Sequence, residues 1–102
     1  MNNIDVIDLI SNKIECQKNI YSNLYELSHK HKLEHKSVFN TEDKYDAVLH
    51  HTYRTQERIY KEECKIMDEI LNILKDLKEQ EIREYEELYS SAKDNLPYTS
   101  LI

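Results

Sequence analysis

Ile59-Tyr60-Lys61-Glu62-Glu63-Cys64-Lys65-Ile66-Met67-Asp68-Glu69-Ile70-Leu71-Asn72-Ile73-Leu74-Lys75-Asp76-Leu77 has no glycine or proline and repeats its apolar residues every three or four positions. That is the period of one face of an α-helix. Two stripes run side by side through it. One is Ile59, Ile66, Ile70, Ile73 and Leu77; the other, begun upstream by Tyr53, is Tyr60, Cys64, Met67, Leu71 and Leu74. Charged residues and Asn72 fill the remaining positions, as on a helix that buries one side and leaves the other wet.

Working outward, the same period continues downstream through Ile82, Tyr85, Leu88 and Tyr89. Upstream it recurs in the first third of the chain, as Ile7, Ile10, Ile14, Tyr21 and Leu24 beside Leu9, Cys16, Ile20 and Leu27. Asn2 or Asn3 can cap this first helix, with Asp5 in the first turn, where negative charge is favourable. The pattern fades after Leu33. Ser37-Val38-Phe39-Asn40-Thr41-Glu42-Asp43 reads as a turn, with Asn40 as the cap of the second helix and Asp43 in a capping-box-like position. The expected fold is all-α: a first helix over about residues 3–36, a turn over 37–42, a second helix over 43–94 and a non-helical tail over 95–102. Folded there, both stripes pair like with like at residue numbers summing to 80, Ile7 with Ile73 and Cys16 with Cys64 among them.

Two stripes per helix are more than one partner helix can cover. The surplus predicts completion of a four-helix bundle with a second copy or with a partner's amphipathic helices. The second helix would also overhang the first beyond about residue 78, and an isolated helix of that length is marginal in water. The partner-binding residues expected on these grounds are Tyr60, Met67, Leu71 and Leu74 along the bundle and Ile82, Tyr85, Leu88 and Tyr89 on the overhang.

Composition narrows the function. The chain has 102 residues, enough for one domain, and not one glycine; about seven would be usual at ~7%. Glycine-rich phosphate-binding loops and tight β-hairpins are thereby excluded. The net charge is -6. Acids and bases balance through Asn40, so all the excess acid lies beyond it, the reverse of a nucleic-acid-binding face. Lys30 to Lys36 is a local basic run, read as the solvated end of a helix. No apolar run reaches the ~18 residues of a membrane span, and the N-terminus lacks the regions of a secretory signal. The expectation is a cytoplasmic protein, exported, if at all, without a signal peptide.

Chemistry-bearing residues are sparse. His31 and His35 lie four apart on one helix face, and the register brings His50 and Asp46 near them, so His31, His35 and His50 are the candidate metal ligands. No Glu-x-x-His motif accompanies them, and the reading assigns no metal and no cofactor. Cys16 and Cys64 are read as small buried hydrophobes rather than a disulfide. There is no Gly-x-Ser-x-Gly nucleophile elbow, and the paired carboxylates lie on wet faces; the expectation is not an enzyme. Eight tyrosines against one phenylalanine and no tryptophan suit half-exposed, protein-binding surfaces.

Taken together, the glycine-poor hairpin, the stretch Cys16-Gln17-Lys18-Asn19-Ile20-Tyr21-Ser22-Asn23-Leu24 and the long charged segment Lys61 to Ser91 resemble the small type VII secretion proteins of Gram-positive bacteria, nearest to the helical targeting partners encoded beside LXG toxins. That resemblance implies a chaperone-like partner that binds a toxin's helical N-terminal region and presents it for export. The chain departs from the WXG-type relatives in lacking Trp-x-Gly at the turn. Tyr53-Arg54-Thr55-Gln56-Glu57 matches their export pattern only by letter, mid-helix, and Phe39-Asn40-Thr41-Glu42-Asp43 matches a Phe-x-x-x-Asp pattern at the turn. Two other readings stay open: a helical inhibitor or regulator from a phage or mobile element, and a structural homo-oligomeric scaffold.

Overall fold

A computed structural model describes residues 2–94. Two helices account for them, α1 (Asn3–Leu33) and α2 (Lys44–Asp94), packed antiparallel as a hairpin with no strand among the described residues. At 1.5 Å per residue α1 is ~46 Å long and α2 ~76 Å. The tail 95–102, expected to be non-helical, lies outside the described residues.

Each helix start is set by a polar side chain. The Asn2 side-chain oxygen accepts from the Asp5 N–H at 2.8 Å. At α2 the cap is Asp43, not Asn40: its Oδ1 accepts from the N–H of Tyr45 at 3.0 Å and of Asp46 at 3.4 Å. Asn40 instead closes a turn on Ser37, its N–H donating to the Ser37 carbonyl at 2.9 Å and its side-chain amide to the Ser37 hydroxyl at 3.1 Å.

The reversal occupies residues 34–43, wider than the expected turn. No described residue has positive φ. Without glycine the chain cannot enter the left-handed region cheaply, so α1 ends at Glu34 in right-handed geometry, φ -77° and ψ -10°. The chain then runs on before it comes back. Its exposed carbonyls are taken up from α2: the His50 ring nitrogen Nδ1 lies 2.9 Å from the His35 carbonyl and 3.2 Å from that of Lys32.

That wide reversal shifts the register. Tyr21 stacks on Tyr60, ring centroids 6.1 Å apart. Ser28 bonds Gln56, Lys18 pairs with Asp68, Asp8 with Lys78, and Asn3 with Glu81. These numbers sum to between 81 and 86, about one helical turn beyond the expected 80. α2 is also turned about its axis, by the ~100° between neighbouring residues, so the stripes pair crosswise. Ile7, Ile14 and Tyr21 turn toward the stripe of Tyr60, Cys64, Met67, Leu71 and Leu74, and all are half-buried. Ile59, Ile66 and Ile73 stay exposed on α2, as do Leu9, Cys16, Ile20 and Leu27 on α1. Cys16 therefore does not face Cys64, whose thiol points to the Lys18 carbonyl at 3.8 Å. The overhang begins after Glu81, three residues later than expected.

Buried and half-buried positions recur every seven residues along both helices: Ile4, Ser11, Lys18, Tyr25 and Lys32 with Ile7, Ile14, Tyr21 and Ser28 on α1, and Asp46, Tyr53, Tyr60, Met67, Leu74 and Glu81 with Leu49, Gln56, Glu63 and Ile70 on α2. A seven-residue repeat is the pattern of a coiled coil. Its seam mixes apolar residues with polar ones, Ser11, Lys18, Lys32, Asp46 and Glu81 among them. No hydrophobic side chain among the described residues is fully buried; Ser28, 4% exposed, is the one buried residue.

Candidate functional site

The hairpin has two unlike faces. On one side of the seam the helices are strapped together by charge. The Asp8 carboxylate accepts from Lys78 at 2.7 Å, that of Asp68 from Lys18 at 2.5 Å, and that of Glu57 from Lys32 at 2.8 Å and His29 at 3.1 Å. The bond to Asp68 holds the Lys18 ammonium above its ordinary pKa, and Lys32, then His29, hold the Glu57 carboxyl below its own. Solvent-exposed pairs of this kind contribute little each. They fix which sides of the two helices lie together.

With that side settled, the opposite side follows from the seven-residue repeat. In an antiparallel pair, positions just past the seam on one helix meet their equivalents on the other. Ile10 comes level with Ile73, Gln17 with Ile66 and Leu24 with Ile59. The shallow cavity of about 260 Å³ one repeat higher brings Asn3 and Gln80 of that series together, with Val6 and Leu77 beside them. This face is aliphatic where the other is charged. Ile59 is 50% exposed, Ile66 43% and Ile73 59%, with Val6, Ile10, Ile20, Leu27 and Leu77 exposed around them. Scattered exposed aliphatics are ordinary; a contiguous two-helix face of them marks an interaction site.

The expected partner-binding residues divide. Tyr60, Met67, Leu71 and Leu74 are half-buried in the hairpin's own seam, so the structure places them against α1 rather than on an outer face. Ile82, Tyr85, Leu88 and Tyr89 are exposed on the overhang. The residues that sequence reasoning passed over are Ile59, Ile66 and Ile73, which it had placed in the seam. Charge sign could have corrected it: only the observed register sets Asp8 against Lys78 and Lys18 against Asp68.

At the turn end, the histidines are absorbed into structure. The His35 ring donates to Asp46 at 2.7 Å and stacks on Tyr53; His31 bonds Glu34 and stacks on the same Tyr53; His50 serves the carbonyls that end α1. Asp46 also accepts from the Lys36 backbone N–H at 2.9 Å, and that bond, with His35, holds its carboxyl below the ordinary aspartate value. His31, His35 and His50 thus do not converge on a common point, and among the described residues no group of three His, Cys, Asp or Glu could hold a metal ion. Outside this cluster Val38, Phe39, Tyr45 and Val48 are exposed, Phe39 to 90%. Val38, Phe39 and Val48 line a shallow cavity of about 300 Å³. No helix of the described residues is long and apolar enough to cross a membrane. Compared with protein families, with curated proteins and with solved structures, the chain matches none.

Proposed function

We propose that this chain is a non-enzymatic, helix-binding adaptor, which works by lending its aliphatic face to amphipathic helices and completing a four-helix bundle with them. The observation that carries this reading is a surplus of apolar residues: the seam between α1 and α2 already takes Ile7, Ile14, Tyr60, Met67, Leu71 and Leu74, while Ile59, Ile66 and Ile73 stay exposed outside it. A helix with a second aliphatic stripe on its free side is suited to a partner on that side. Burying a few such side chains at ~25 cal/mol per Å² contributes several kcal/mol, enough to drive association.

A chaperone-like or targeting partner of a secreted protein, of the kind the sequence resembles, is the form of this role we favour. The overhang beyond Glu81 supports it, since its exposed Tyr85 and Leu88 continue the seam positions of Leu71 and Leu74 where no part of α1 lies opposite. The test is co-expression of the tagged chain with the products of its neighbouring genes. Stoichiometric co-purification of one helical protein, lost in Ile66→Asp and kept in the opposite-face variant Glu15→Gln, supports the reading. A chain that binds neither a neighbour nor itself ends it.

A further inference from the structure

Part of the positive charge on α2 takes no share in strapping the helices together. His51, Arg54, Arg58 and Lys61 follow one another at spacings of three and four, which sets them in one row on the helix. Arg54, Arg58 and Lys61 are exposed. Lys18, Lys32 and Lys78 each hold a carboxylate across the seam, whereas among the described residues these three hold none. The row lines a cavity of about 420 Å³. Glu57 lines it too, but Lys32 and His29 of α1 take its carboxylate. His51 and Arg54 also line the cavity of about 300 Å³ at the link, beside Val38, Phe39 and Val48. The two therefore join as one open groove, apolar at the link and cationic toward Lys61. It runs ~20 Å along α2 from Val48, at 1.5 Å per residue. Arg54 and Lys61 share the seven-residue series of Asp68, which Lys18 straps, so the groove lies away from the face of Ile59, Ile66 and Ile73.

From this we infer that the groove binds an acidic peptide helix, with one bulky apolar side chain against Val38, Phe39 and Val48 and carboxylates along Arg54, Arg58 and Lys61. Charge complementarity selects this occupant. A guanidinium holds a carboxylate with two parallel N–H bonds, and Arg54 and Arg58 stand one helical turn apart. Carboxylates at i and i+4 of a peptide helix have the same spacing and meet both at once. The apolar end has no counterpart in a phosphate chain, which separates this site from one for nucleic acid. A flat anionic bilayer fits less well: exposed Glu42 and Asp43 stand beside Val38 and Val48, and headgroups would meet those carboxylates together with the apolar residues. A single helix laid along α2 avoids them. The site is independent of the aliphatic face and goes beyond the adaptor reading.

Fluorescence anisotropy tests it with a labelled helical peptide ~15 residues long, which spans ~22 Å. The peptide carries one leucine near one end and glutamates at four-residue intervals toward the other, and is made in both polarities. Saturable binding is expected for one polarity, weakening as salt is raised. The double variant Arg54→Glu, Arg58→Glu loses two attractions and gains two repulsions, so a fall of at least ten-fold is expected, with helicity by circular dichroism unchanged. A peptide with glutamine for glutamate is expected to fall equally, and one with alanine for leucine several-fold. Ile66→Asp is expected to bind the peptide as the wild type does, which keeps this test apart from that of the aliphatic face. No saturable binding in either polarity overturns the inference, as does binding that the double variant retains or that Ile66→Asp loses. Co-sedimentation with phosphatidylserine vesicles where the peptide does not bind overturns it in favour of a bilayer.

Discussion

Asp46 is the residue on which the reversal depends. Its carboxylate sits in the first turn of α2 and accepts from both the Lys36 N–H and the His35 ring, so one side chain ties the link to the helix start. Those bonds favour the ionised form, which is why its pKa is depressed. For a carboxyl held below its unfolded value, the stabilisation is complete above that value, ~4, and is lost as pH falls through the folded one. The melting temperature is therefore expected to hold from pH 7 to about pH 5 and to decline below pH 4. Asp46→Asn is expected to lower the plateau and to flatten the acid limb. Circular dichroism melts across pH check both, and Glu57, held low by Lys32, gives any residual slope in the variant.

Neighbouring residues on α2 have opposite duties. Leu74 is half-buried in the seam and Ile73 is exposed beside it. Large-to-small changes in a core cost 2–5 kcal/mol, and a half-buried leucine belongs at the low end, so Leu74→Ala is expected to destabilise the hairpin by ~2 kcal/mol. Ile73→Ala is expected to leave the hairpin's helicity intact and, on the proposed role, to weaken capture of a partner helix; thermal melts and co-purification on the same samples separate the two effects. The overhang has neither kind of support in the isolated hairpin, so its amides after Glu81 are expected to exchange with solvent fastest of all in α2. Hydrogen exchange in a dilute Ile66→Asp sample reads this directly.

How much of these elements was legible follows from the same residues. The start of α1 and the length of α2 were readable because capping and apolar period are local, as at Asn2 and Asp5, while the limits beside the link were not: α1 stops at Leu33 and Asp43, not Asn40, caps α2. The register was not, because it depends on how the link turns. A glycine would have allowed a short turn near Asn40; its absence sends the chain past the end of α1 and moves each pairing by about a turn. With that shift α2 is also turned about its axis by the ~100° that separates neighbouring residues, which sets Leu74 in the seam in place of Ile73 and changes the identity of the free face. The histidines were grouped correctly in space, His35 with Asp46, while their service to the α1 carbonyls depends on backbone geometry that a residue pattern does not hold.

At the scale of the whole molecule, charge narrows which helix the proposed role can use. The chain carries a net charge of -6, and Glu62 and Glu69 are exposed on α2 on either side of Ile66 along the chain. Like charges across a contact repel, and salt screens them with a Debye length of ~8 Å at physiological strength. A partner helix with basic flanks is therefore expected to bind this face more weakly as salt is raised, while the straps Lys18–Asp68 and Asp8–Lys78 loosen only slightly because the link holds both helices together. Glu69→Lys replaces one attraction by a repulsion. At ~0.5 kcal/mol for an exposed pair, with the repulsion added, the expected loss is several-fold in affinity at low salt and almost none at ~1 M, measured by calorimetric titration with the co-purified partner. Binding that tightens with salt, or a Glu69→Lys variant that binds better, would mean that the partner sets acidic residues against this rim.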